Sequence, residues 1–269
     1  MGEHIQDLDR LDAEARWHVS RVYPDVVAWN ERLRSDYKPQ PGSGLAKDDQ
    51  VIPGMWVSQM ARLSLATGSL HLLDAMRHLT EFGPSLWSLQ SLLRTAVWGG
   101  AQAVWLLNPD DREARVANAK RVHYYSQVNN RMWLNTFDGS ADSTSDPESL
   151  SRAKTAVAET IKALGKQPKI NQLQVVTDVA RLVFADQPEA AVECERGWRA
   201  MGAVAHALPW ELGTRSTSEV ISRTADTRTE HTTARWAEAA ADLGFAHEFL
   251  GRGWRLLDAR SAAPSPAAD

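Results

Sequence analysis

The chain has 269 residues, 43% of them hydrophobic, and a formal net charge of −4 at pH 7. That is enough apolar material to bury a substantial core, in one large domain or two small ones. The mildly acidic balance supplies no global positive field for nucleic acid or an anionic membrane, so any contact with RNA has to be local.

Cys194 is the one cysteine, which excludes an internal disulfide framework and any site built on several thiolates, and no disulfide-linked partner is expected. The opening MGEHIQDLDRLDAEARW is charged from its third residue and offers no apolar signal-peptide core, so the expected setting is the reducing cytoplasm. Residues 86–107 are long enough to span a bilayer, but Gln90, Arg94 and Gln102 interrupt them. They read as a buried central helix, with no membrane partner. Eleven tryptophans against five phenylalanines place large indoles where core meets polar groups, because each indole N–H wants a partner.

Residues 5–35 have helical composition, with Trp17, Val22, Val26 and Trp29 apolar and Pro24 predicted to kink or divide the segment. The stretch 36–49, DYKPQPGSGLAKDD, reads as a loop separating this arm from the rest. Helical spacing of Met60, Leu63, Leu65, Leu72, Met76 and Leu79 predicts a helix from Trp56, stopped by Phe82-Gly83-Pro84. In the next helix Ser88, Ser91, Thr95, Gly99 and Gln102 form a stripe of mostly small side chains, along which another helix can approach closely. Asn108-Pro109-Asp110-Asp111 ends that helix and caps a third one, which runs to Asn135.

The polar stretch 137–147 is a loop or an internal boundary, and Asp146-Pro147-Glu148 starts a helix with Leu150, Val157, Ile161 and Leu164 on its apolar face and Gly165 at its end. Helices near 170–185 and 189–208 follow. The run 216–233 is rich in β-branched residues and lacks helical periodicity, which fits a small β-hairpin. A last helix over 234–257 leads into a disordered tail at 259–269. The expected architecture is therefore an all-α multi-helix bundle, a single helical domain over 1–258, with one small hairpin.

Four polar residues, His71, Asp74, His78 and Glu81, fall at spacings of three, four and three, which brings them to one helix face; side chains of these types can bind a divalent metal. Because Leu72, Leu73, Met76 and Leu79 point the other way, the plainer reading is a solvated face, and no cofactor is expected. Arg94 lies in the most apolar helix and needs a partner there, either the Trp98 ring one turn on or a carboxylate from another helix. Arg121 shares a helix side with Ala114, Ala117, Tyr124, Val128 and Met132 and needs one too. For both, structural pairing stands against anion binding.

His206 sits among small apolar residues near a helix end, as a hydrogen-bonded core histidine does; its functional alternative is general acid–base catalysis, with Arg199 seven positions earlier. In a chain with this many arginines and eight histidines that spacing also arises by chance. Cys194 lies between Glu193 and Glu195, which raise its pKa rather than activate it. No Gly-rich phosphate loop, nucleophile elbow or dinucleotide fingerprint is present.

Three stretches, SLHLLDAMRHL, LLRTAVWGGAQAVWLLNPDDREARVANAKR and GWRAMGAVAHALPWEL, resemble a broad uncharacterised family of helical proteins from high-GC bacteria. That family is similar in arrangement to the HEPN-like superfamily, whose active members are ribonucleases or nucleotidyl-transfer targets in toxin–antitoxin and phage-defence systems. The resemblance covers residues 60 to 212 and implies His71, Arg94, Arg112, Arg115 and His206 as recurrent polar positions. It also gives the Arg199–His206 spacing the look of a HEPN-type pair. Two departures stand out: Trp98 replaces an acid four residues after Arg94, and Gly202 stands where a serine is common.

The leading expectation is a helical regulatory or interaction protein of a bacterial defence or stress system, with a protein partner or self-association. The alternative is a HEPN-like ribonuclease acting on RNA through Arg199 and His206, with Arg94 or Arg121 holding phosphate. A metal- or small-molecule-dependent bundle enzyme using His71, Asp74 and His78 is a second alternative.

Overall fold

A computed structural model describes residues 2–51, 54–85, 87–137, 146–208, 210, 216–224 and 227–263. Among these, nine helices and one two-stranded hairpin make up the regular structure, an all-α bundle with a single β-ribbon. The first helix, α1, runs Gly2–Arg32 without a break, so the predicted division at Pro24 does not occur. Pro24 and Ser20 are both exposed, and the carbonyl left without a donor meets water. Buried Val26 and half-buried Trp29 then pin the second half of the helix to the core.

The segment 36–49 is not simply a loop. It contains α2 (Gly44–Asp48), capped by Ser43, whose hydroxyl accepts from the Ala46 N–H at 3.1 Å, and it buries Leu45 and Asp48 completely. Nor does it set the amino-terminal arm apart. The Gln40 N–H donates to the Ser261 carbonyl at 2.9 Å, and the Tyr37 and Ser261 hydroxyls bond to each other.

The elements α3 (Val57–Phe82), α4 (Ser88–Leu107), α5 (Arg112–Asn135), α6 (Pro147–Leu164), α7 (Gln172–Val183) and α8 (Pro188–Ala205) follow the predicted order. Asp111, Asp146 and Asn171 cap α5, α6 and α7 with their side chains, as short acceptors at helix starts do. Residues 138–145 of the predicted polar loop lie outside the described residues. Next, β1 (Ser216–Arg223) and β2 (Arg228–Ala234) pair antiparallel, Ser216 opposite Ala234 and Arg223 opposite Arg228, with an irregularity between Val220 and Ser222. The last helix, α9 (Trp236–Ser261), reaches further than the expected end at 257. Residues 259–261, read as tail, are helical because buried Ser261 donates to the Leu257 carbonyl and joins Tyr37. Residues 264–269 lie outside the described residues.

Helix α4 is the axis of the molecule: α3 and α9 pack most extensively on it, with α5, α7 and α8 around the remaining sides. Among the described residues no helix is long and apolar enough to cross a membrane. Close approach at α4 depends on glycine. A Cβ on Gly99 would lie 2.5 Å from the Ser64 carbonyl oxygen and 2.8 Å from Gly68 Cα of α3. On Gly100 it would lie 2.7 Å from Phe249 Cβ and 2.9 Å from the Leu250 nitrogen of α9. The small-residue stripe is thus used in part: Gly99 meets α3 as expected, whereas the α9 contact falls on Gly100, outside the stripe.

Overpacking of a tight core costs about 1–3 kcal/mol and more where backbone is the obstacle, so Gly99→Ala and Gly100→Ala should each lose about 3 kcal/mol in urea unfolding. Gly244 in α9 has nothing within 4 Å of its would-be Cβ. Gly244→Ala should instead gain about 0.5–1 kcal/mol from helix propensity.

Candidate functional site

The polar face of α3 does not assemble into a metal centre. His71 Nδ1 lies 2.8 Å from the Thr67 carbonyl, Asp74 pairs with Arg77 at 3.3 Å, and His78 Nε2 meets the Ser85 hydroxyl at 3.0 Å. Each side chain is engaged with its own neighbours, and among the described residues no three His, Cys, Asp or Glu side chains converge on a metal position. Helical spacing brought these residues to one face, but the local partners turn the side chains apart.

Arg112 and Arg115 are structural ties. The buried Arg115 guanidinium grips fully buried Asp48 through two bonds, Nε to Oδ2 at 2.7 Å and Nη2 to Oδ1 at 3.0 Å. Its Nη1 donates to the Pro109 and Asp110 carbonyls at 2.9 and 2.7 Å. Arg112 adds a bond to the Lys47 carbonyl and lies 3.5 Å from Asp48. From the other side Arg260 reaches Asp110 at 2.6 Å. Four arms of the chain, α2, the α4–α5 turn, α5 and α9, meet at this cluster. Arg121 stacks over the Trp105 ring at 5.1 Å and donates to the Lys169 carbonyl at 3.2 Å, while its Nε is buried without a partner among the described residues.

Arg199 and His206 are not brought together as a catalytic pair. Arg199 donates from Nε and Nη2 to Glu195 Oε1 at 3.1 and 2.9 Å. His206 is exposed, not a core residue: α8 stops at Ala205, and Ala207 at φ 54° lets the Leu208 N–H return to the Ala203 carbonyl. Cys194 is buried, and burial first, then the charges of Asp242 and Glu195, push its thiol pKa up; it is no nucleophile.

The partner of Arg94 is neither Trp98 nor an acid. Its guanidinium carbon sits 3.7 Å from the centre of the Trp198 ring, and Nη1 donates to the Trp198 carbonyl at 3.0 Å. Gly202 makes this possible, since a Cβ there would lie 2.9 Å from Nη1. Trp98 packs instead against Trp198, ring centres 6.3 Å apart. With no acid at position 98, the arginine is seated on α8 in the space that Gly202 leaves.

Two hollows on the opposite flank were not anticipated. One, of about 590 Å³, is lined by Tyr37, Trp56, Met60, Leu63, Leu70 and His123 among others; the second, of about 550 Å³, by Met60, Leu63, Thr95, Trp98, Gln102 and Asn129 among others. They share Met60, Leu63 and His123, and together form a trough with α4 as floor and α3 and α5 as walls. Arg62 is its one charged side chain, already committed to the Leu33 and Ser35 carbonyls and the Tyr37 ring. Burial pushes the His123 pKa down, which favours its neutral imidazole. Along the rim Trp56, Leu63 and Leu70 repeat every seven residues and are 49%, 68% and 50% exposed, with Tyr125, Met132 and Trp133 exposed on α5. The signal was in the sequence: Leu63 and Leu70 lie off the buried α3 face that carries Leu65, Leu72 and Leu79.

A further polar group fastens α1. His247 of α9 contacts Asp25 through Nε2 at 3.0 Å and Glu248 through Nδ1 at 3.6 Å, and stacks on Trp29 at 5.1 Å. Burial alone lowers its pKa, but the bonds to Glu248 and Asp25 and their charges outweigh it and raise it. Arg255 acts on Glu248 from the same helix.

The fold and these sites define an all-α bundle with a largely apolar trough on one flank, where Arg62 is the charged lining side chain among the described residues, and an arginine seam on another. Neither family models, nor curated proteins, nor solved structures match the chain.

Two stability measurements follow from these contacts. Removing Asp48 strands a buried guanidinium, so Asp48→Ala should cost about 3–5 kcal/mol, while Asp48→Leu combined with Arg115→Met should recover much of that in urea unfolding. Because folded His247 keeps its proton to a higher pH than the unfolded chain, its contribution is complete below the ordinary value of 6.5 and fades as pH rises through the raised folded value. Thermal melts should show this loss in the wild type as pH rises above the ordinary histidine value of 6.5, and a flatter profile in His247→Gln.

Proposed function

We propose that the chain is a helical interaction protein that works by self-association through the α3–α5 face. The observation that carries this reading is the exposed, seven-residue apolar repeat Trp56, Leu63 and Leu70 beside a trough with almost no charge. Large apolar side chains grouped on a surface mark interaction sites, and Trp and Tyr are the residues that anchor interfaces. In a two-fold dimer the same patch meets itself, so a charged face repels its copy and an uncharged one does not. A hetero-partner is usually selected by complementary charge, and in the trough the charged lining side chain among the described residues is Arg62, already bonded to the Leu33 and Ser35 carbonyls. The second copy is therefore the occupant that fits it.

Arg199 spends its guanidinium on Glu195, which leaves the ribonuclease reading without a preassembled arginine–histidine pair. A regulatory role in the bacterial cytoplasm agrees with the interaction reading and rests on the resemblance to the high-GC family.

Sedimentation velocity over a concentration series tests the proposal. The wild-type chain should pass from monomer to dimer, and Leu63→Asp and Leu70→Asp, both at exposed helix positions, should weaken the dimer by tenfold or more, about 1.4 kcal/mol each, with unchanged helical circular dichroism. A monomer at every concentration, or a dimer indifferent to both substitutions, overturns it. A labelled RNA should stay intact; cleavage lost in His206→Ala would put the ribonuclease in its place.

A further inference from the structure

Arg94 differs from the arginines of the α2–α5–α9 cluster in what it lacks. Arg115, Arg112 and Arg260 each have a carboxylate. Arg94 forms no ion pair among the described residues, and no nearby charge shifts its pKa: burial alone lowers it. A guanidinium keeps its proton regardless, so a full positive charge sits half-buried without a counter-charge. Of its five N–H donors, one is spent on the Trp198 carbonyl. None of its nitrogens is among the sealed, unpartnered atoms, so the remaining edge of the fork reaches solvent.

Its position is also fixed. Trp198, itself buried, supports one face of the guanidinium at 3.7 Å, and the missing side chain at Gly202 leaves the space in which the group lies. A flat cation held in one orientation, with free donors at its edge, matches the two oxygens of a carboxylate or phosphate and does so with little ordering cost. One helical turn beyond Gly202, on the same side of α8, His206 is exposed and makes no side-chain bond among the described residues.

We propose that Arg94, seated on Trp198 beside Gly202, is a binding site for a small-molecule oxyanion, a carboxylate or a phosphate. The site lies on the α4–α8 seam and is independent of the self-association reading.

The test is nitrogen-15 NMR of the full chain, following the Arg94 Nε–H and the Trp198 indole resonances. Sodium phosphate and sodium acetate are titrated separately, each against sodium chloride at matched ionic strength. A saturable shift of both resonances is expected; with phosphate alone it assigns a phosphate ligand, and with acetate it assigns a carboxylate. Arg94→Gln should weaken the response by about tenfold or more, the worth of charge-assisted hydrogen bonds. Gly202→Ala provides a second variant that retains the charge and favours the helix while crowding the guanidinium; it should weaken binding by a similar factor. No saturable shift with either anion overturns the proposal, and so does a response that survives unchanged in both variants.

Discussion

At Gly99 and Gly100 the backbone of α4 comes directly against α3 and α9. Gly99 lies against Ser64 and Gly68, Gly100 against Phe249 and Leu250, and a Cβ on Gly253 would come within 2.7 Å of Leu65. Helices ordinarily pack at a distance set by the side chains between them. Here that spacer is absent, so α4 is enclosed on two sides by close helix backbones and its remaining flanks are fixed in place. One flank carries Thr95, Trp98 and Gln102 and becomes the floor of the trough. The other presents Arg94 to α8. The surface features are thus consequences of one contact deep in the core.

Arginine on tryptophan is the second recurring device. Arg16 lies over Trp236, Arg32 over Trp254, Arg94 over Trp198 and Arg121 over Trp105, with 4.8, 4.4, 3.7 and 5.1 Å from guanidinium carbon to ring centre. A guanidinium is flat and weakly hydrated, so an indole face can shelter it without a carboxylate. This accounts for part of the unusual tryptophan content, since these indoles serve as platforms at the margin of the core. Only Trp254 shows the expected indole N–H bond among the described residues, to the Ser69 hydroxyl at 3.3 Å. Arg115 follows the opposite rule, with two carboxylate bonds and two carbonyls leaving no donor edge for a ligand. The difference between a structural and a ligand-competent arginine lies in that count of satisfied donors, not in burial.

Helix order was legible from apolar period and caps, because Asp111, Asp146 and Asn171 act locally and need no knowledge of the fold. The misreadings were all tertiary. Pro24 looked like a break because its exposure was hidden, and 36–49 looked like a loop because the partner that anchors Asp48 is 67 residues away. His206 looked buried because the apolar residues before it were visible while the turn at Ala207 was not. Arg94 and Arg121 were recognised as needing partners, yet which partner depended on helix neighbours: Trp198 is 104 residues from Arg94. The trough escaped notice because Leu63 was counted with Leu65, Leu72 and Leu79 in one helical pattern, although it lies off their buried face.

The reading of α5 follows from the way its two halves are held. Its first half is locked by the Asp111 cap, the Arg115–Asp48 pair, Asn118 on the Trp105 carbonyl and Arg121 on Lys169. From Tyr125 onward Tyr125, Met132 and Trp133 face solvent while Leu134 is buried, and α6 is the helix that α5 packs on most extensively. A bundle gains little by ordering such a helix unless something covers it, because exposed apolar area contributes nothing to folding. The anchored first half carries the exposed second half on the same helix, and Tyr125 lines the trough beside Leu63. Helical bundles as a class serve many functions; the case for association rests on this face, prepared in advance and left uncovered by the chain that builds it.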